Sequence, residues 1–252
     1  MSRASKVLDQ VVVTAIILIG WQLLSLKLGV NAVPRPIDTI MRLGELCATS
    51  AFWGHVAETG RAVIIAGLIA TIGGALLGLS LGLNRFSGDI ASPILVAIYS
   101  LPKVVLYPLV LLLFNMSLSA KVALGVLNGF APVAIVAMEA VRNISPSILR
   151  TAKVMHLSPG DTIWRVLLPA TLPEIMTGVR VGVALTVVGV LIGEIFASNK
   201  GLGFLLTNAS QLNDGLTVMA LTLFIVLAAL ALNWLVAAMS PMHRRKLAFR
   251  AR

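Results

Sequence analysis

The sequence predicts an all-α integral membrane protein with six transmembrane helices, and three observations carry that prediction. Of its 252 residues, 58% are hydrophobic and only 12% charged, about half the charged fraction of a soluble domain. The apolar residues are gathered into runs, at about 9–28, 60–83, 89–114, 120–141, 172–197 and 216–239, each near the length of roughly twenty residues that a helix needs to cross the hydrocarbon core. Glycines recur every four residues inside two of these runs, the spacing that lets membrane helices approach closely.

The first run follows Arg3 and Lys6, as in a signal peptide. Its stretch from Val11 to Leu28 is long for one, and no clear small-residue cleavage site follows, so it reads as an uncleaved anchor. The second ends in Gly74, Gly78 and Gly82, which share one helix face. The third carries Pro102 and, about midway, Lys103. A cation at that depth is costly without a partner or water. It reads either as attraction for an anionic substrate or as a structural pair or snorkelling side chain. The fourth run is continuous. The fifth repeats the glycine spacing at Gly178/Gly182 and Gly189/Gly193 and holds Glu194 near its outer end, as part of an outer gate or as a helix-end cap. Asn233 and Trp234 in the sixth read as an interhelical hydrogen bond and an interfacial ring. The glycine stripes fit ordinary packing within the chain better than a subunit interface.

The net charge of +10 does not indicate nucleic acid, because the basic residues lie between spans and in the tail 243–252, where they set topology and meet lipid head groups. With the N-terminus inside, thirteen of the twenty Lys and Arg fall on the inner side, from Arg3 to Arg252, and six (Lys27, Arg35, Arg42, Arg61, Lys121 and Lys200) on the outer, leaving Lys103 in a span. Both termini are therefore expected in the cytoplasm. The lone Cys47 excludes an intrachain disulfide, and His55, His156 and His243 lack metal-ligand spacing. No His clusters with Asp or Glu inside the spans, as a membrane enzyme would require, and no inverted repeat of a secondary transporter is evident.

Between Asn143 and Pro169 the pattern predicts two short soluble helices. Ser145-Pro146 offers a cap and a proline at the first helical position. Ile148, Leu149, Ala152 and Met155 then recur at helical spacing, with Arg150 and Lys153 off that stripe. Ser158 to Asp161 resembles a capping box, and Leu168-Pro169 is expected to end the second helix. Such an amphipathic stretch suits the bilayer surface or a groove on a soluble partner equally well.

The stretch resembles the cytoplasmic EAA loop of permease subunits of binding-protein-dependent ABC importers: Glu-Ala-Ala, three residues, Gly, nine residues, Ile, one residue, Leu-Pro. Anchored on Leu168-Pro169, the register puts Val166 at Ile, His156 at Gly, and Arg150-Thr151-Ala152 at Glu-Ala-Ala. Arg150, Thr151 and His156 depart from the pattern, and Glu139-Ala140 falls too early for it. The resemblance covers nearly the whole chain and is to the nitrate, sulfonate and taurine permease branch. It includes "VPRPIDTI" (33–40), "ETGRAVIIAGLIATIGGALLGLSLGLNR" (58–85), "SLPKVVLYPLVLLLF" (100–114), "LPATLPEIMTGVRVG" (168–182) and "GEIFASNKGLGFLL" (193–206). Asn115 stands where that branch usually has Gly.

The resemblance implies a type I importer permease core over 57–242 after an N-terminal anchor and outer segment (1–56), with a basic cytoplasmic tail (243–252). It implies a bacterial inner-membrane location, two copies of a separate ABC ATPase, a second permease copy, and a substrate-binding protein outside. The chain has no GxxxxGK[ST] phosphate loop, so ATP hydrolysis is assigned to the partner, and no cofactor or metal is implied. Arg150, Thr151, Ala152, Lys153, Met155, His156, Leu157 and Ser158 would meet the ATPase; Pro102, Lys103 and Glu194 would belong to the translocation path. His156 in place of Gly implies either a modified partner groove or a helix that runs on longer. The solutes of similar permeases include nitrate, alkanesulfonates and taurine, and also pyrimidine vitamin precursors and riboflavin.

Overall fold

A computed structural model describes residues 3–29 and 32–239; the basic tail 243–252 lies outside the described residues. The regular elements are α1 (Arg3–Leu28), α2 (Pro36–Cys47), α3 (Ser50–Leu83), α4 (Arg85–Ser100), a 3-10 turn (Lys103–Leu106), α5 (Tyr107–Phe114), α6 (Leu118–Arg142), α7 (Pro146–Val154), α8 (Pro159–Asp161), a π-helical turn (Thr162–Leu167), α9 (Leu168–Ala197), α10 (Leu202–Gln211) and α11 (Gly215–Met239). Among the described residues, four stretches are long and apolar enough to cross a membrane: Ser50–Leu83, Leu118–Arg142, Thr162–Phe196 and Gly215–Met239. In α1 the apolar part is Val12–Leu28.

The core is three helices deep, with α6 clasped between α3 and α9. Lipid tails are as apolar as side chains, so helices gain stability in a membrane by close backbone approach. Both glycine stripes serve that end and both face α6. A Cβ at Gly78 would lie 2.3 Å from the Ala134 carbonyl oxygen, and one at Gly189 would lie 2.4 Å from that of Leu124. The stripes are thus consumed within the chain. Ala62, Ala66 and Ala70 continue the close contact along α3 and are fully buried.

Two expectations are corrected. The third span is not one helix over 89–114: α4 and the segment Lys103–Phe114 meet at 81°. Pro102 causes the break. It has no N–H to donate to α4 and biases the preceding Leu101 towards extended backbone, which Leu101 adopts (ψ 133°). Lys103 therefore sits at a corner, not inside a helix.

The second correction concerns Leu168-Pro169, which does not end a helix. The chain is helical from Pro159 through Ala197. Pro169 would clash with the carbonyl four residues back in a regular α-helix. The preceding turn widens to π geometry, with the Leu168 N–H reaching the Ile163 carbonyl, and the helix absorbs the proline. Of the two short helices expected between Asn143 and Pro169, α7 alone is separate.

On the opposite end from α7, α2 packs on α11. Arg42 donates from Nε to Thr217 Oγ1 at 3.0 Å, and Thr217 donates its hydroxyl to Asp214 Oδ2 at 2.6 Å. The Thr217 hydroxyl and N–H, helped by Arg42, hold the Asp214 carboxyl below its ordinary pKa.

Candidate functional site

The α7 loop follows from its capping. Pro146 occupies the first turn of α7, while the Ser145 hydroxyl engages Ser147 Oγ and makes no cap bond. At the far end, the Leu157 N–H bonds the Ala152 carbonyl (3.2 Å) and the His156 N–H bonds that of Lys153 (3.0 Å). These two bonds define a Schellman motif, whose C′ residue is normally a left-handed glycine. His156 takes that place with φ 51°. The helix therefore stops on schedule and does not run on. Beyond it, Ser158 Oγ accepts from the Asp161 N–H at 3.1 Å, the first half of a capping box, and donates to Asp161 Oδ2 at 2.7 Å, so the shorter carboxylate meets the hydroxyl and not the Ser158 N–H.

Burial sorts the loop residues. Ala152 is buried, Leu157 half-buried, and Arg150, Thr151, Lys153, Met155, His156 and Ser158 are exposed. Met155 is 66% exposed, as are Val154 (78%) and Trp164 (71%). The sequence reading did not single out Val154 or Trp164. Thr151 turns its hydroxyl back to the Ser147 carbonyl at 3.0 Å.

Lys103 caps the broken end of α4. Its Nζ donates to the Tyr99 carbonyl and lies 4.9 Å from the centre of the Tyr99 ring. Pro102 sets the corner. Nearby, the Tyr107 hydroxyl donates to the Phe196 carbonyl, tying α5 to the C-terminal end of α9. An apolar cavity of about 630 Å³ opens between α3, α5 and α6.

Glu194 lies in α9, two residues before Phe196. It is fully buried, accepting from Thr59 Oγ1 at 2.8 and 2.9 Å and from the Gly203 N–H, at the start of α10, at 2.9 Å. Thr59 Oγ1 accepts in turn from the Leu202 N–H at 2.8 Å, and His55 Nδ1 accepts from the Gly201 N–H at 3.0 Å. Lys121, 3% exposed, donates to Glu58 Oε1 at 3.0 Å and to the Lys200 carbonyl at 2.9 Å, with Glu194 Oε1 at 4.0 Å. A carboxylate at a helix N-terminus is favoured by the unpaired N–H groups there. Gly201 (φ 122°) is obligatory, because a Cβ would lie 2.1 Å from Glu194 Oε1. The knot joins α3, α6, α9 and α10. Of its side chains, the sequence reading had only Glu194; Lys121 looked like an outer-loop charge.

Asn115 repeats the His156 situation. It has φ 55° and ψ −170°, a region nearly exclusive to glycine. Such residues cost of order 1–3 kcal/mol each. Asn115→Gly and His156→Gly are each expected to raise stability by about 1 kcal/mol, since the freer unfolded glycine chain offsets part of the relieved strain. Detergent thermal-unfolding curves of the purified permease measure this; lowered midpoints for both variants would contradict it.

Residues 74–248 match the family of binding-protein-dependent transport system inner membrane components. The chain belongs to this family, the permease subunits of ABC importers. Within it, the chain resembles the sulfonate, taurine and nitrate members. It is 31% identical over 214 residues to the putative aliphatic sulfonates transport permease protein SsuC of Escherichia coli (strain K12), covering 84% of this chain and 81% of the relative. It is 28% identical over 222 residues to that organism's taurine transport system permease protein TauC, covering 84% and 80%. With the nitrate import permease protein NrtB of Leptolyngbya laminosa the identity is 28% over 230 residues, covering 87% and 82%. A chain of the MetNI methionine ABC transporter, solved in inward-facing conformations, shares the fold with a TM-score of 0.56 at 18% identity, covering 78% of this chain and 94% of that one.

Proposed function

We propose that this permease carries a small anionic solute of the taurine, alkanesulfonate or nitrate kind, and that the α7 loop couples it to a separate ABC ATPase. The observation that carries the coupling is the exposure of Val154 and Met155 at the end of a short helix anchored by buried Ala152. An amphipathic helix that presents apolar anchors is suited to a groove on a partner. Arg150, Thr151, Ala152, Lys153, Met155, His156, Leu157 and Ser158 form this contact.

The working assembly has two such permeases, two ATPases and an outer substrate-binding protein. Each permease has six spans, counting α1 and the bent α4–α5 pair, with both termini and α7 in the cytoplasm and lipid around its rim. Residues 57–242 form the transport core, 1–56 the anchor and outer segment, and 243–252 a basic tail. Pro102 and Lys103 line the path. An ammonium has three donors, and capping Tyr99 leaves two of them for an anion. Glu194 acts from the outer end by holding α10 in place.

Uptake into proteoliposomes containing the permease, its ATPase and its binding protein tests the reading. Taurine, nitrate or an alkanesulfonate should be taken up in preference to a neutral pyrimidine. Lys103→Gln should cut uptake of the anion about tenfold or more, the value of one charge-assisted contact, with the ATPase still bound. Unchanged uptake would reduce Lys103 to a helix cap.

A further inference from the structure

We propose that the recess at the α7 end of the bundle is a binding site for the phosphate headgroup of an anionic phospholipid such as phosphatidylglycerol. The recess has a volume of about 810 Å³ and lies where α3, α4 and α6 converge. Arg85 and Arg142 supply its charge, Val141, Ile144 and Leu167 its apolar wall, and Asp89 its one acidic group.

Arg142 gives one Nη to Asp89, and its stem lies along the first turn of α4, with Cδ 3.4 Å from where a Gly88 Cβ would stand. Arg85 makes no ion pair among the described residues. Two guanidiniums against one carboxylate leave the recess net positive. Guanidinium forks match phosphate oxygens in pairs.

The position and lining favour a lipid over a soluble anion. The recess sits where two membrane-crossing helices end, α3 at Leu83 and α6 at Arg142, which is the level of head groups. From beside Arg85, the exposed residues Phe86, Ile90, Ile94 and Ile98 follow one another every four positions along α4 (73%, 51%, 54% and 44% exposed), one continuous apolar track for an acyl chain. Basic recesses between membrane helices commonly hold anionic lipid head groups. Leu167 and Pro146, from either side of the α7 loop, both line the recess, so a seated lipid touches the loop at two points.

Fluorescent phosphatidylglycerol is titrated onto the delipidated full-length permease in detergent, with fluorescent phosphatidylcholine and radiolabelled inorganic phosphate in parallel. Wild type should bind phosphatidylglycerol in preference to both. Arg85→Gln and Arg142→Gln should each weaken it about fivefold and the pair about thirtyfold. Asp89→Asn, by freeing Arg142, should tighten it, a gain that loss of structure would not produce. Ile144→Trp fills the recess with its charges intact and should abolish binding, which keeps the test alive if the arginine variants fail to fold. Equal binding of phosphatidylcholine, tight binding of phosphate alone, or wild-type affinity in the variants would overturn the assignment.

Discussion

Lys121→Met is expected to destabilise the permease by about 3–5 kcal/mol, the cost of removing one partner from a buried ionic group. The reason lies in what remains. Glu194 is fully buried and Lys121 3% exposed, so the loss leaves Glu194 and Glu58 facing each other with no cation between them. The Lys200 carbonyl loses its donor as well. The hydrogen bonds from Thr59 and Gly203 to Glu194 survive, but the hydroxyl of Thr59 and one N–H cannot replace a full charge.

The midpoint of thermal unfolding in detergent should fall by about 10 °C. Adding Glu194→Gln should restore part of it, because a neutral amide needs no counter-charge. The double variant should lose at least about 1 kcal/mol less than the two single losses added together, as coupled neighbours do. A Lys121→Met protein that melts like wild type would show that the knot is an accident of packing.

That knot also marks the boundary of what the sequence discloses. Hydropathy located the spans of α3, α6, α9 and α11 to within a turn or so at most ends, since burial in lipid demands an unbroken apolar run. Glycine spacing named the close-packed faces, because only a missing Cβ tolerates a carbonyl oxygen at the distance seen for Gly78. The family register was informative even where the residues differ from it. His156 and Asn115, which the resemblance places at glycine positions, both adopt positive φ, the backbone region that glycine suits best.

What stayed hidden depends on distance along the chain. Lys121 meets Glu58 across 63 positions, and Thr59 meets Glu194 across 135. No local periodicity reveals which helix faces will be neighbours. The corner at Pro102 was hidden for another reason. A proline in an apolar run can be absorbed, as Pro169 is by a π turn, or can break the helix, as Pro102 does. The presence of a proline does not by itself say which of the two the backbone takes.

Replacing Val154 and Met155 with arginine should separate the permease from its ATPase while leaving the permease itself folded. Both side chains are mostly exposed, at 78% and 66%, so arginine costs the free permease little. In a groove, each loses an apolar anchor and gains a charge that must be desolvated. Central anchors of this kind are worth 2 kcal/mol or more, and the pair should weaken association at least about a hundredfold. Pull-down of the tagged ATPase from co-expressed membranes reads this directly, with size-exclusion profiles of the permease as the control.

Leu157→Arg is a poorer probe, because the Leu157 side chain is half-buried. Its loss would mix folding with docking. Arg150→Ala and Lys153→Ala, which remove only exposed charges, should have smaller effects that fade with added salt. Full recovery of the ATPase with the Val154→Arg/Met155→Arg permease would rule out the α7 end as the coupling contact.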